Sequence, residues 1–208
     1  MKKLIVSNIM SLDGYYAGPG NNVMVLPMDG AFDSYNLERM RAADTVLLGH
    51  TSYQMFSGFW PAMADHPDAS STHREFSRLY NQIDKVAVSN RMTLEGTGPW
   101  RETTRIIGGD QVYDEITKLK RKSGKDIVMY GSRVLWNDLL AHGLVDELHF
   151  VIGNVLLGVG TPMFTEPIAY NDPKRSLQLM DSRTFKGSEN LLVQYQVKYK
   201  NGKARKGN

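Results

Sequence analysis

Glycine and hydroxyl residues occur together at two points where an apolar run changes into a helical pattern, and this combination can bind an anion. The first point lies in the segment 46–53, which reads VLLGHTSY. Free backbone amides, the positive end of a helix dipole and side-chain hydroxyls would meet there, and a phosphate suits all three. The candidate binding residues are Gly49, His50, Thr51 and Ser52. The alternative, that Thr51 or Ser52 only caps a helix, is equally compatible with this motif.

The second point lies in the segment 127–135, which reads IVMYGSRVL. Gly131 allows the backbone to approach a ligand closely, and Ser132 can cap the helix. Arg133 places a cation in the first helical turn, where the dipole disfavours it by roughly 0.3–1 kcal/mol unless an anion neutralises both. A bound phosphate would do so, whereas the alternative is a surface arginine paired with an acidic neighbour. Neither segment matches GxGxxG or a Walker loop.

Two aspartates are candidates for an acid that donates a proton. Asp13 follows the first apolar run in the sequence SLDG, at the end of a strand where ligands of open α/β sheets bind. Asp33 lies at the start of the next helical pattern. Each has an ordinary structural alternative, because Asp-Gly is a common turn and an aspartate near a helix N-terminus is a common cap.

The rest of the composition excludes several other kinds of chemistry. The 208 residues include no cysteine, so the sequence predicts no disulfide, no cysteine-ligated zinc and no thiol nucleophile. The five histidines form neither HxH nor HExxH, and there is no GxSxG serine motif. We therefore expect neither a metal site nor a serine hydrolase.

The net charge of +3 does not indicate a nucleic-acid or membrane partner. Five of the 25 basic residues lie at 198–206, where there is no acidic residue, so the preceding chain carries 20 basic against 22 acidic residues. No signal-peptide core is present, and no segment approaches the ~20 apolar residues that cross a bilayer. We expect a cytoplasmic protein with one domain at 1–200, a flexible basic tail at 201–208, and no nucleic-acid or membrane partner.

Short apolar runs alternate with amphipathic segments, which predicts a central mixed, mostly parallel sheet flanked by helices. The predicted strands are 4–10, 45–48, 85–89, 105–107, 126–130 and 147–152. The predicted helices are 31–43, 52–56, 73–82, 111–122 and 133–141. The last segments, 176–185 and 191–200, predict an antiparallel C-terminal hairpin. Two irregular segments, 13–30 and 60–72, are long enough to overhang a site.

Several motifs occur in an order that resembles a known family. They are SLDG at 11–14, LLGHTSY at 47–53, VSN at 88–90, YGS at 130–132, GLVDEL at 143–148 and VLLGVG at 155–160. Together they resemble the RibD C-terminal domain family of the dihydrofolate reductase-like superfamily, over nearly the whole chain. The resemblance implies a dihydrofolate reductase-like α/β fold and an NADPH-dependent reductase. A stand-alone member is expected, because a chain without cysteine cannot build the usual zinc deaminase site.

The resemblance also implies roles for individual residues. The segment that grips the cofactor's phosphates corresponds to Gly49, His50, Thr51 and Ser52, where His50 replaces the arginine that usually meets the 2′-phosphate. The segment beside the adenosine half corresponds to Ser89, Asn90 and Arg91. The turn under the pyrophosphate corresponds to Tyr130, Gly131, Ser132 and Arg133. The acid of the riboflavin enzymes' substrate site corresponds to Asp13, and the substrate carboxylate of the folate enzymes aligns with Asp33.

The substrate implied by the resemblance is a small heterocycle that accepts a hydride from NADPH. It would be pteridine-like or similar to 5-amino-6-(5-phosphoribosylamino)uracil. Relatives often form dimers through the segment from Gly143 to Phe164, so a homodimer is expected. The alternative function is a nucleotide-binding or assembly protein that keeps the fold and has lost reduction.

Overall fold

The computed structural model describes residues 1–94, 98, 100–165 and 175–200. The strands are β1 (Leu4–Ser11), β2 (Tyr15–Ala17), β3 (Ala43–Gly49), β4 (Asp84–Val88), β5 (Thr104–Ile107), β6 (Asp126–Tyr130), β7 (Glu147–Gly153), β8 (Thr161–Pro162), β9 (Arg175–Thr184) and β10 (Leu191–Tyr199). The helices are α1 (Gly30–Ala42), α2 (His50–Met63), α3 (Ser71–Gln82), α4 (Val112–Arg121) and α5 (Arg133–Ala141).

One eight-stranded sheet has the strand order β5-β4-β3-β6-β1-β7-β10-β9. The strands from β5 to β7 are parallel to their neighbours, whereas β10 is antiparallel to both β7 and β9. This architecture confirms the predicted mixed, mostly parallel sheet with an antiparallel C-terminal hairpin. The predicted tail at 201–208 lies outside the described residues.

Side chains of β1 alternate between two cores on opposite faces of the sheet. Leu4 and Val6 pack in a core with Trp136 of α5, whereas Ile9 packs in a core with Tyr35 of α1. Because a parallel strand in the middle of a sheet is covered on both faces, its sequence is almost continuously apolar. This physical requirement explains why the strand positions could be predicted from apolar runs.

The predicted short helix at 52–56 is wrong in its length, because α2 has 14 residues and continues through Pro61. Side chains of α3 supply hydrogen-bond partners for carbonyl groups near the end of α2. Ser77 Oγ donates to the Trp60 carbonyl (2.5 Å), and Asn81 Nδ2 donates to the Pro61 carbonyl (3.3 Å). The irregular segment predicted at 60–72 is correspondingly shorter. These contacts join residues 17 and 20 positions apart, so local sequence patterns do not reveal them.

The irregular segment 13–30 contains the short strand β2 and two turns of 3₁₀ helix, at Pro19–Asn21 and Val23–Val25. β2 pairs with β8 in a separate two-stranded sheet. Within the described ranges, every helix is too short or too polar to cross a lipid bilayer.

Candidate active site at the carboxyl edge of the sheet

The two glycine-containing segments lie side by side because β3 and β6 are neighbouring parallel strands. β3 ends at Gly49 and passes directly into α2, and β6 ends at Tyr130 and passes through Gly131 and Ser132 into α5. Neighbouring parallel strands end at the same edge of a sheet, which is where ligands of open α/β sheets bind. The N-termini of α2 and α5 therefore line one cleft.

Hydrogen bonds tie these two junctions to each other. Gly49 N donates to Ser132 Oγ (3.0 Å), and Ser132 N donates to Ser52 Oγ (2.8 Å). The side chain of Asn8 on β1 accepts from Gly131 N (2.8 Å) and donates to the Gly131 carbonyl (3.3 Å). The predicted capping roles of Ser52 and Ser132 are wrong, since neither hydroxyl caps its helix and each instead binds the opposite junction.

The turn between β6 and α5 has an unusual backbone conformation that these bonds stabilise. Gly131 and Ser132 have φ angles of 58° and 51°, both in the left-handed region. A serine there costs on the order of 1 kcal/mol. A Cβ atom on Gly131 would lie 3.0 Å from Ser52 Oγ and 3.3 Å from the Tyr16 hydroxyl, so a larger residue would also push these two side chains by a few tenths of an ångström.

The cleft between α2 and α5 has a volume of about 580 Å³. Its wall includes all four residues 49–52, together with Ser132 and Arg133. The first amides of a helix lack intrahelical partners, so both helices present donors to an anion. Arg133 Nη1 donates to the Pro162 carbonyl (3.0 Å), and the Arg133 guanidinium forms no ion pair in the described part of the chain. The alternative of a surface arginine paired with an acid is therefore wrong within these ranges.

The cleft also contains one acidic side chain, at Asp138 on α5. The hydroxyl of Tyr113 donates to both oxygens of this carboxylate, at 3.1 and 3.0 Å. The cleft therefore has an electropositive end near Arg133 and a carboxylate five residues further along α5.

The three residues predicted beside the adenosine half of a cofactor lie after β4, at the same edge of the sheet. Ser89 Oγ is 3.4 Å from His50 Nδ1 and accepts hydrogen bonds from the amides of Arg91 and Met92. Asn90 Oδ1 accepts from the Gly109 amide (2.7 Å) after β5. None of these three lines the cleft as described, but Ser89 lies beside His50, which does.

A second, smaller cavity of about 140 Å³ lies beside the cleft. We call it the aromatic cavity because seven aromatic side chains lie in its wall: Tyr16, Phe32, Phe56, Trp60, Phe76, Tyr80 and Tyr130. Tyr130, predicted as a cofactor residue, lies in this aromatic cavity, where its hydroxyl donates to the Asn36 carbonyl (2.9 Å). Burial raises the pKa of the Tyr130 phenol well above its ordinary value, so it remains a neutral donor.

Three side chains belong to both walls and connect the cleft to the aromatic cavity. They are Tyr16, Val23 and Met55. Tyr16 lies on β2, whereas Met55 lies on α2, so residues distant in sequence meet at this connection. A ligand in the cleft and a second ligand in the cavity would contact each other here.

The chain sequence matches the RibD C-terminal domain family over residues 2–191. This chain belongs to the RibD C-terminal domain family. A curated relative, the uncharacterized protein YyaP of Bacillus subtilis (strain 168), is 28% identical over 195 residues. The match covers 88% of this chain and 89% of the relative.

Solved structures show that this RibD C-terminal domain has the dihydrofolate reductase-like fold. A diaminohydroxyphosphoribosylaminopyrimidine deaminase/5-amino-6-(5-phosphoribosylamino)uracil reductase of Thermotoga maritima is similar with a TM-score of 0.62 and 13% identity, covering 94% of this chain and 56% of that one. The dihydrofolate reductase of Enterococcus faecalis, solved with NADP(H), is similar with a TM-score of 0.56 and 11% identity, covering 96% and 97%. The predicted family and fold are confirmed.

In this RibD C-terminal domain, Asp13 contacts the turn that follows β7. Its carboxylate accepts hydrogen bonds from Ser11 Oγ (2.6 Å) and from the amides of Leu157 and Gly158 (3.1 and 2.7 Å). Hydrogen bonds from Ser11 and from the Gly158 amide lower the pKa of Asp13. Asp13 lines neither the cleft nor the aromatic cavity as described.

Asp33 lies on α1, next to Phe32 in the wall of the aromatic cavity. Its Oδ2 is 2.8 Å from Nε2 of His73 on α3, and Asp29 rather than Asp33 caps the helix. Burial raises the pKa of Asp33, and the His73 side chain opposes this effect without cancelling it. A raised pKa suits a proton donor. The carboxylate itself does not form part of the cavity wall as described.

The sequence analysis did not single out Asn8, Asn36 or the aromatic side chains of the cavity other than Tyr130. Asn8 had one detectable signal, since it interrupts an otherwise buried strand with a polar residue. The aromatic residues had none, because their patterns on α1, α2 and α3 are those of ordinary core positions. Within the described ranges, no three histidine, aspartate or glutamate side chains are placed to hold a metal ion.

Proposed function

We propose that this RibD C-terminal domain is an NADPH-dependent reductase that transfers a hydride from the nicotinamide to a small heterocyclic substrate. The observation that carries the proposal is the connection between two different cavities at the carboxyl edge of the sheet. The cleft has the helix N-termini and the cation that a dinucleotide phosphate needs, and the adjoining cavity has flat aromatic walls that suit a planar ring.

The residues of the cleft fit a dinucleotide. The amides of the first turns of α2 and α5, with Thr51 and the Arg133 guanidinium, would bind the phosphates. His50 and Ser89 would face the adenosine half, and Asp138 would suit a ribose hydroxyl. When bound, NADPH supplies the hydride, and the chain's part is to hold donor and acceptor in contact where Tyr16 and Met55 line both cavities.

The proposed substrate is pteridine-like or similar to 5-amino-6-(5-phosphoribosylamino)uracil, and the proposed proton donors are Asp13 and Asp33. Asp33 is adjacent to a residue of the cavity wall and has a raised pKa, whereas Asp13 organises the turn at Leu157 and Gly158. Either carboxylate would reach a substrate through an intervening group, because neither forms part of the cavity wall as described. A cytoplasmic location stays a prediction.

We also propose a homodimer through the exposed face of the C-terminal hairpin. Leu177 and Leu179 on β9 are about half exposed and pair with Val197 and Tyr195 on β10. Phe164, in the segment 143–164 that was expected to form the interface, has an exposed fraction of 39%. Exposed apolar side chains grouped in this way are typical of a protein interface. A monomer mass in light scattering at micromolar concentration would refute this part of the proposal.

Titration with NADPH tests the cofactor. Trp60 lines the aromatic cavity, so energy transfer from tryptophan to a bound nicotinamide should give saturable quenching of the intrinsic fluorescence. Absence of quenching at millimolar NADPH would refute the proposal. Binding without NADPH oxidation, followed at 340 nm across a panel of pterins and aminouracils, would instead favour a nucleotide-binding protein that has lost reduction.

Substitution of the two aspartates tests the proton donor. Asp13→Asn should leave NADPH affinity nearly unchanged and slow turnover, and Asp114→Asn on the exposed side of α4 serves as the control. Unchanged turnover in the Asp13 variant would leave Asp33 as the proposed donor. The thermal melting temperature of each variant separates a catalytic effect from a loss of folded protein.

A further inference from the structure

A histidine on α3 holds the carboxylate of Asp33, one of the two proposed proton donors. His73 Nε2 lies 2.8 Å from Asp33 Oδ2, although the two residues are 40 positions apart in the chain. The other carboxylate oxygen, Oδ1, has no hydrogen-bond partner among the described residues. The contact therefore fixes one oxygen of the carboxylate and leaves the second one available to another group.

The imidazole of His73 is itself held in place from two sides. The helix α3 begins at Ser71, and Oγ of its N-cap residue Ser70 accepts a hydrogen bond from the His73 amide (3.1 Å). On the other side, the His73 ring packs edge to face against Trp60 of α2, with 5.6 Å between the ring centroids and 87° between the ring planes. Helices α1, α2 and α3 thus together determine where this imidazole lies.

The pair of Asp33 and His73 lies directly behind the wall of the aromatic cavity. Phe32, which precedes Asp33, and Trp60, which contacts His73, both line that wall. The side chains of His73 and Asp33 are 33% and 24% exposed, and neither lines the cavity as described. Solvent can therefore return a proton to Asp33 without passing through the cavity.

Other charged side chains act on this pair only weakly or have partners elsewhere. Asp29, at the N-cap of α1, repels a negative charge on Asp33. The part of α2 that contacts His73 is Trp60, which has no charge. The charged neighbours of His73 on α3 are engaged with other groups: Arg74 donates to the carbonyls of His66 and Pro67, and Glu75 pairs with Arg41.

Burial and His73 act in opposite directions on the acidity of Asp33. Burial raises the pKa of Asp33 above its ordinary value of 3.8, whereas the charge of protonated His73 and its hydrogen bond both lower it. His73 therefore keeps Asp33 a stronger acid than burial alone would leave it. This matters for catalysis, because a carboxyl group that holds its proton too tightly is a poor proton donor.

We propose that His73 is a positioning residue of the reductase, which holds the Asp33 carboxylate behind the aromatic cavity and controls how readily Asp33 gives up its proton. The inference rests on the proposed function, because it requires that Asp33 supplies the proton that accompanies hydride transfer. Asp33 would pass this proton towards the substrate through the intervening group and regain one from solvent. His73 would keep the carboxylate in place throughout.

The pKa of Asp33 tests the contact without substrate or cofactor. It is measured by NMR from the carboxyl carbon of Asp33 in isotopically labelled protein, and Asp33→Asn identifies the signal. His73→Gln keeps a hydrogen-bond donor and removes the charge, whereas His73→Phe removes both. We expect the pKa of Asp33 to rise by ~0.5 or more in His73→Gln and further in His73→Phe, because a nearby cation favours an ionised carboxylate even at a partly exposed site.

His66→Gln is the matched control for these variants. His66 is exposed, precedes α3, and accepts a hydrogen bond from the Asp68 amide (3.2 Å). Its substitution should leave the pKa of Asp33 unchanged. Melting temperatures verify that each variant is folded, and the milder His73→Gln decides the test where His73→Phe does not fold. An unchanged pKa of Asp33 in the folded His73 variants would overturn the inference.

The pH profile of turnover tests the effect on the acid. Turnover is followed as NADPH oxidation at 340 nm with the most active member of the panel of pterins and aminouracils. A reaction that needs protonated Asp33 slows as the pH rises through the pKa of Asp33. The falling limb of the profile should therefore move to higher pH in His73→Gln, in the same direction as the pKa of Asp33. A loss of turnover that is equal at every pH would indicate a purely structural role and overturn the inference.

The two measurements separate this inference from the proposed function. NADPH oxidation whose falling limb stays in place in the His73 variants would uphold the reductase and overturn the role of His73. A shifted pKa of Asp33 in a protein that oxidises no NADPH with any member of the panel would refute the reductase, and the contact would then be structural only.

Discussion

The buried carboxylate of Glu147 predicts a measurable dependence of folding stability on pH. Glu147 begins β7 and is 3% exposed. Its Oε2 lies 3.0 Å from His149 Nε2, and its Oε1 lies 2.8 Å from Lys3 Nζ. Burial by itself would raise the pKa of Glu147, but the hydrogen bonds from His149 and Lys3 outweigh it and lower the pKa to about 2. The unfolded chain has the ordinary value of 4.5.

This difference in pKa sets the magnitude. A folded pKa below the unfolded one stabilises the protein above the unfolded pKa, and the stabilisation is lost as the pH falls towards the folded pKa. At 1.36 kcal/mol per pKa unit, ionised Glu147 contributes about 3 kcal/mol near pH 6. The same linkage relation gives a loss of about 2 kcal/mol of this contribution by pH 3.

The substitution Glu147→Gln isolates the effect from the other carboxylates. Free energies of unfolding are measured by urea denaturation from pH 6 to pH 3 for both proteins, and the difference between them is plotted against pH. We expect this difference to shrink by about 2 kcal/mol, because the variant has no proton to take up at this position. The control is Glu115→Gln, which removes the same charge from exposed ion pairs with Arg105 and Lys118.

Salt distinguishes the two positions. High ionic strength screens exposed ion pairs, so it should suppress the pH dependence of the difference in unfolding free energy between the wild-type protein and Glu115→Gln. The corresponding difference for Glu147→Gln should keep most of its pH dependence, because Glu147 is buried. A Glu147 difference that stays constant from pH 6 to pH 3 would refute the reasoning, because it would mean that the folded and unfolded pKa values are the same.

Three further predictions concern other charged groups. Arg133→Gln should weaken NADPH binding at least about tenfold, which is the lower end of what a hydrogen bond to a charged group contributes. The exposed control Arg121→Gln should leave the affinity unchanged. Equal NADPH affinities of the two variants in fluorescence titrations would count against the cofactor cleft. His50→Arg should raise the affinity for NADPH relative to NADH, because a guanidinium pairs better with the 2′-phosphate, and an unchanged ratio would place that phosphate elsewhere. Burial lowers the pKa of Lys85 to about 7, below the unfolded value of 10.5. The free energy of unfolding should therefore rise from pH 7 to pH 10 relative to that of Lys85→Met. Urea denaturation that gives the two proteins the same pH dependence would contradict this.

The sequence by itself determined the approximate positions of the eight strands of the main sheet and of the two glycine-containing junctions. Apolar runs mark the parallel strands because these are buried on both faces, and glycine marks the junctions because α2 starts directly after Gly49 and Gly131 adopts a positive φ. These are local requirements, so they leave local traces in the chain.

The tertiary structure alone decided which side chains share a cavity and which partners the acids have. Asp33 meets His73 across 40 positions, and Asp13 meets Gly158 across 145, so neither environment is encoded near the aspartate itself. The aromatic cavity combines side chains from β2, α1, α2, α3 and β6, each of which follows an ordinary core pattern in its own element. The cavity is a property of their packing against one another, and packing depends on contacts between residues far apart in the chain.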